Sequence, residues 1–327
     1  MTQKHKPSPV RPPVTKVPAW WTPCGANPDR VNLAYLYDAF REGFSDGRRI
    51  PSGKDAHLNE RHAARTILQR VPDAGFVFRA EREFLDRAVN YLIKYHGVDT
   101  FVIAGVGLPN LTGDDLHSYV RRCENNHRAR NRANVIYVER DPLTRAVLCT
   151  IADERDFVYV LGADPWNPTA MWDSLCGPNR ECPASIHPQY ERMALILAGV
   201  MSFHGGSRTE VAQAVQEHIG HLPIGSFLAM THLIVPEHPE MAAHAIEFEK
   251  ALRVVGPGTG TLATRSEIEA MVAGTELVPP GIVPAFDWYP DGPPNPPVCG
   301  HLNAAVLTQK PGPDHELPDP PWRPAGT

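Results

Sequence analysis

The chain has 327 residues, with 32 Lys and Arg against 37 Asp and Glu and a formal net charge of −5. That length holds one large α/β domain with additions or two domains, and either buries a sizeable core, while the charge balance gives no general electrostatic case for a nucleic-acid partner. Six cysteines, Cys24, Cys123, Cys149, Cys176, Cys182 and Cys299, are too sparse for a disulfide scaffold. Cys176 and Cys182 lack the companion ligands of a metal site, so unligated thiols and no metal are expected.

The opening MTQKHKPSPVRPP carries charges and prolines where a signal peptide needs an apolar core, and no apolar run reaches membrane-spanning length, so a cytoplasmic, soluble protein is expected. Residues 1–27 read as a proline-rich arm and 292–327 as a proline-rich tail, with the folded body from about 28 to 290, because proline lacks the backbone donor of regular structure. Ala63, Ala64, Ile67 and Leu68 predict a helix over Asn59–Val71; Phe84, Leu85, Ala88, Val89, Leu92 and Ile93 predict another over about 80–96. The first strand follows directly, at Phe101-Val102-Ile103-Ala104, and the second is Val135-Ile136-Tyr137-Val138. Asp141-Pro142 and Asn167-Pro168 each supply a helix cap with proline at the first helical position, on either side of a third strand at Phe157–Leu161. The run Met193–Val200 reads as a strand covered on both faces, and Phe227–Thr231 as another, with a helix over Glu210–His221 between them. Thr264 and Glu267 offer a capping box, followed by an edge strand near Leu277–Trp288. Strands alternating with helices imply a parallel, doubly wound sheet.

The richest segment is the junction after the first strand, where Gly105 and Gly107 break an apolar run and Glu139 ends the next one. Glycines there let a ligand approach the backbone, and a carboxylate ending the second strand can accept both ribose hydroxyl hydrogens, so the pair reads as a nucleoside-cofactor site or as an ordinary tight turn. The basic run Arg121, Arg122, His127, Arg128, Arg130 and Arg132 reads as a solvated helix end and loop rather than a polyanion site.

Several further segments carry a resemblance. Gly53-Lys54-Asp55 with Glu60-Arg61, Arg79-x-x-Arg82-x-Phe84-Leu85, Gly105-x-Gly107-Leu108-Pro109, Val138-Glu139-Arg140-Asp141-Pro142, Ala163-Asp164, Gly199-Val200-x-x-Phe203, Leu222-Pro223-x-Gly225-Ser226 and Pro280-Gly281-x-Val283-Pro284 occur in one order between about Tyr37 and Asp291. In these the chain resembles an actinobacterial family of S-adenosylmethionine-dependent methyltransferases formerly known as a domain of unknown function. The resemblance implies a Rossmann-like methyltransferase sheet over 99–291 under an N-terminal helical cap or lid over 28–98. It departs at Ile103, where family members resemble one another in having an aspartate expected to help orient the methionine amino group.

The resemblance implies that Glu139 binds ribose, that Gly105 and Gly107 line the methionine and ribose side, that Ala163 and Asp164 lie near the adenine edge, and that Gly199 is a further cofactor-binding position. Lys54, Asp55 and Arg79 become candidates for the cofactor's charged end, against readings as surface ion pairs or helix cover. His204 and His232, placed after the fourth and fifth strands, and Tyr37 in the lid are the candidates for taking a proton from an acceptor. The expected protein is an S-adenosylmethionine-dependent methyltransferase acting on an unidentified small molecule, with no nucleic-acid or membrane partner and with homo-oligomerisation left open. Two alternatives stay open: a non-catalytic binding protein on the same fold, and an enzyme using the cofactor for a reaction other than methyl transfer.

Overall fold

The computed structural model describes residues 31–40, 44–45, 48–49, 58–105, 107–108, 115–129, 132–153, 155–178, 180–182, 192–255, 262–288 and 296–312. A short antiparallel hairpin, β1 (Phe44–Ser45) with β2 (Arg48–Arg49), stands apart from the main sheet. The main sheet contains β3 (Thr100–Ala104), β4 (Asn134–Val138), β5 (Val158–Leu161), β6 (Met193–Leu197), β7 (Phe227–Leu233), β8 (Glu276–Leu277), β9 (Val283–Pro284) and β10 (Asn303–Gln309). Their order is β5-β4-β3-β6-β7-β10-β8, with β9 also on β10. The strands from β5 to β7 are parallel, and β10 runs antiparallel to β7, β8 and β9. Winding starts in the middle, at β3, and proceeds outward both ways, which opens a crevice at the carboxyl ends of β3 and its neighbours.

The helices are α1 (Leu33–Phe40), α2 (Leu58–Arg70), α3 (Gly75–Tyr91), α4 (Leu116–His127), α5 (Pro142–Ala152), α6 (Pro168–Cys176), α7 (Arg208–His221), α8 (Pro239–Val255) and α9 (Arg265–Met271). Caps fix several starts. Asp141 accepts from Thr144 N at 2.8 Å, Asn167 from Ala170 N at 3.2 Å, and Ser207 with Glu210 and Thr264 with Glu267 close reciprocal capping boxes. α3 begins five residues before the predicted start, and Leu92–His96 continues it as a π-turn ended by left-handed Gly97.

Strand alternation divides the core between the two faces. Phe101 and Ile103 pack with Phe84, Leu85 and Ala88 of α3 and Val120 of α4. Val102 and Ala104 pack on the other face with Met171 of α6, Val211 and Val215 of α7 and Ile268 of α9. A third cluster lies at the carboxyl edge, where Leu36 and Phe40 of α1, Ala64 and Ile67 of α2 and Phe248 of α8 meet Phe203, Leu233 and Leu302. The expected cap is thus built from both ends of the domain, since α8 lies beyond β7; its helix was not predicted.

Two sequence expectations are corrected. The segment assigned to a proline-rich tail contains β10, whose seven residues are all buried and pair with β7 from Asn303 opposite Leu233 to Gln309 opposite Phe227. That full-length pairing also extends β7 past Thr231, so His232 lies inside a strand instead of in the loop after it.

Buried histidines tie the elements together. Trp172 Nε1 donates to His218 Nδ1 at 3.0 Å while His218 Nε2 meets the Pro165 carbonyl at 2.8 Å, and His232 Nδ1 meets the Leu233 carbonyl at 2.7 Å. Burial carries both imidazoles down from 6.5 to about 4. Between those values the unfolded chain binds protons that the folded chain does not, so their contribution is complete above about 6.5 and is lost as pH falls toward 4, at about 1.4 kcal/mol per pH unit for each histidine. Urea midpoints should therefore fall on acidification, and His218→Gln should show a shallower fall than the parent; identical slopes would contradict the assignment.

Candidate functional site

The crevice is defined first by backbone. After β3, Gly105 and Gly107 take φ of 70° and 75°, and Gly105 N donates to the Val138 carbonyl at 3.0 Å, tying the turn to the end of β4. Only glycine enters this region without strain. The two positions differ in their surroundings. A Cβ on Gly105 would lie 2.6 Å from Val200 Cγ2, so the loop after β6 packs directly onto it. On Gly107 the nearest atoms would be those of Ala34 of α1, at 3.7 Å and beyond, so α1 roofs the turn at ordinary contact distance.

Glu139 follows β4 and is 7% exposed. Its backbone N–H continues the ladder to Leu161 O at 3.0 Å, while its Oε1 accepts from Asp141 N at 2.8 Å. Burial, with the Asp141 charge adding to it, pushes the carboxyl up to about 7 against the pull of the Asp141 and Arg140 backbone amides.

Beyond it, Asp164 lies in the turn after β5, accepting from Trp166 N at 2.9 Å and pairing with Arg140 at 3.4 Å. Both side chains of that pair are more than 40% exposed, so the pair contributes little stability by itself. Ala163 packs against the sheet face that carries α6 and α7. The Arg140 guanidinium sits 3.7 Å from the Trp166 ring centroid, Trp166 Nε1 donates to Val200 O at 2.9 Å, and the Trp166 ring meets His204 edge-on at 5.5 Å. His204 Nδ1 accepts from Gly206 N at 2.9 Å, so its lone pair is already used within the loop.

On the other side of β3 a second polar group is assembled. Gly199, at φ 63°, donates its N–H to Thr231 Oγ1 at 2.7 Å, and Thr231 donates to Glu81 Oε2 at 2.6 Å. Asn303 Nδ2 donates to the same Glu81 oxygen at 3.2 Å and to Val77 O at 3.4 Å. A Cβ on Gly199 would collide with the Tyr37 hydroxyl and lie 2.9 and 3.2 Å from the Glu81 carboxylate oxygens. Tyr37 is held edge-on to Phe78 at 4.5 Å, and burial followed by the Glu81 charge raises its phenol well above the ordinary value. It therefore keeps its proton near neutrality and serves as a hydroxyl, which corrects its reading as a proton acceptor.

His232 is corrected as well. It neighbours Thr231 in β7 and so points to the opposite face, where it is 1% exposed and its charged form is suppressed. Arg79 covers Phe76, its Cζ 5.6 Å from the ring centroid, and Arg82 pairs with Asp86 at 3.0 Å along α3. Lys54 and Asp55 lie outside the described residues. The basic run is partly internal structure: Arg121 and Arg132 meet Glu124 at 2.5 and 3.5 Å, and Arg121 covers Phe157. Sequence reading missed Glu81 and Trp166. Glu81 sits between Arg79 and Arg82 on a helix whose apolar spacing drew attention elsewhere, whereas a tryptophan directly after Ala163-Asp164-Pro165 was a usable signal.

A doubly wound sheet with a glycine turn after its first-wound strand and a buried carboxylate just past the neighbouring strand is a Rossmann-like arrangement. The sequence matches the S-adenosyl methyltransferase family over residues 50–310, and the chain belongs to that family. A crystal structure of a candidate methyltransferase from Thermobifida fusca YX is similar at TM-score 0.73 and 25% identity, covering 89% of this chain and 99% of that one. A DUF574 family protein from Streptomyces avermitilis MA-4680 shares the fold at TM-score 0.71 and 22% identity, over 86% and 98% of the two chains. No protein of curated function matches the chain significantly. Among the described residues, no helix is long and apolar enough to cross a membrane.

Two outcomes follow from this geometry. The raised Glu139 carboxyl keeps its proton in the folded chain up to about 7, whereas the unfolded chain releases it near 4.5, so ionisation costs stability progressively over that interval and fully above it. Glu139→Gln should stabilise the ligand-free protein at alkaline pH, by about 3 kcal/mol at most, and leave it little changed near pH 4; chemical denaturation at the two pH values reads the difference. Ile103 is fully buried between Tyr137 and Ile196 in register, so Ile103→Asp should cost about 3–5 kcal/mol by burying an uncompensated charge. A native melting temperature in that variant would show that the strand end admits a carboxylate.

Proposed function

We propose that this chain binds S-adenosylmethionine in the crevice at the ends of β3, β4 and β6 and transfers its methyl group to a small-molecule acceptor. The observation that carries the reading is Glu139, a buried carboxylate fixed by backbone beside the Gly105–Gly107 turn. It fits the two ribose hydroxyls, and Gly107, having no side chain, lets the rest of the nucleoside side approach the backbone beneath α1. Ala163 and Asp164 fit the adenine edge, with Trp166 and Arg140 as its wall. When bound, the cofactor supplies a methyl carbon activated by positive sulfur, so no nucleophilic side chain is required and much of the rate can come from holding donor and acceptor in contact. The protein's part is to orient and to exclude water. α1 covers the glycine turn, and Tyr37, Phe203 and the α1–α2–α8 cluster close the side toward β7 and β10.

Calorimetric titration with S-adenosylmethionine and S-adenosylhomocysteine tests the reading, and the absence of binding by either overturns it. Glu139→Ala should weaken binding roughly tenfold or more, since a charge-assisted hydrogen bond contributes about 1.5–3 kcal/mol. Asp164→Ala should cost less, because Asp164 is half exposed and already paired. Affinity should also fall as pH drops below about 7, where the Glu139 carboxylate takes up its proton.

A further inference from the structure

We infer that Glu81, Tyr37 and Asn303 form a subsite for an ammonium group at the end of the crevice beyond Gly199. The inference rests on the reading of the crevice as an S-adenosylmethionine site. Glu81 is a carboxylate only 6% exposed, aligned by Thr231 and Asn303, and both its oxygens pack beside Gly199 together with the Tyr37 hydroxyl, in the place a side chain there would take. Asn303 gives the second observation. It is 1% exposed; its Nδ2 is committed to two acceptors, Glu81 Oε2 and Val77 O, which fixes the amide orientation, and its Oδ1 has no hydrogen-bond partner. An orphaned buried acceptor beside a carboxylate calls for a donor-rich, positively charged guest. An alkylammonium has three N–H donors and no acceptor, which matches the carboxylate, amide and phenol oxygens that α3, β10 and α1 contribute around Glu81.

The chain has no acidic residue on β3, whose sequence is Thr100-Phe101-Val102-Ile103-Ala104, so an ammonium in the crevice must find its anion on another element. Glu81 supplies one across β6 from the Gly105–Gly107 turn. Two sources share this chemistry: the amino group of the cofactor's own methionine tail, or an amine on the methyl acceptor.

The test compares the parent protein with Glu81→Gln, which keeps shape and hydrogen bonding but removes the charge, using three probes in calorimetry. S-adenosylhomocysteine carries the amino-acid tail, 5′-methylthioadenosine lacks it, and benzylammonium is titrated into the S-adenosylhomocysteine complex. A loss of roughly tenfold or more for S-adenosylhomocysteine, with 5′-methylthioadenosine unchanged, assigns the subsite to the methionine ammonium. Unchanged binding of both nucleosides, with benzylammonium binding to the parent complex and abolished in the variant, assigns it to an acceptor amine. Equal loss for both nucleosides means that Glu81 only supports the fold, and no change with any probe means that no ammonium binds there; either overturns the inference. A parent protein that binds neither nucleoside defeats the cofactor reading and this inference with it. Should Glu81→Gln not fold, Glu81→Asp retains the charge one methylene short and should give the same selective pattern with a smaller loss.

Discussion

The parallel pairing of β3 on both of its edges is the constraint on which everything else in this structure depends. Because β4 and β6 flank it in the same direction, the three strands deliver their following turns to one edge, and the crossover helices are forced onto opposite faces. The turn after β3 then has neighbours on both sides, Val138 through a backbone hydrogen bond and Val200 through van der Waals contact. Left-handed backbone at Gly105 and Gly199 keeps these turns tight.

That arrangement separates the crevice's negative charge into two places with an apolar centre. Glu139 stands beyond β4 and Glu81 beyond β6, both buried, while Ile103 at the end of the strand between them belongs to the core under α3. Burying a carboxylate costs free energy unless donors surround it. At Glu139 the donors are backbone amides of the next two residues; at Glu81 they include a hydroxyl and a side-chain amide from two other strands. Local chain geometry therefore supplies the donors around Glu139, and only the assembled sheet supplies those around Glu81.

The histidines illustrate how position in the sheet overrides position in the sequence. His218 lies in α7 yet fixes the turn carrying Asp164 and Trp166, through its contact with the Pro165 carbonyl. His232 stands one residue beyond Thr231, and that single step moves it from the crevice face to the opposite one. His204 remains at the edge, with its ring held against Trp166 and its Nδ1 engaged by Gly206. The polar groups gathered beside Gly199 are instead the Tyr37 hydroxyl, the Glu81 carboxylate, the Thr231 hydroxyl and the Asn303 amide, from α1, α3, β7 and β10.

By itself, the sequence determined whatever short-range chemistry encodes. The apolar runs of β3 to β7 stand near their predicted places, the Asp141, Asn167 and Thr264 caps start the helices after them, and the Gly105–Gly107 turn lies beside Glu139, because each depends on residues within a turn or a strand of one another. Only the tertiary structure decided that Asn303–Gln309, set among prolines, is an interior strand, since its partner β7 lies some seventy residues earlier and pairing rather than composition makes it a strand. The same holds for Glu81, whose helix shows an ordinary amphipathic pattern. Its carboxylate acquires meaning when Gly199, Thr231 and Asn303 converge on it, and convergence across a sheet leaves no periodic trace along the chain.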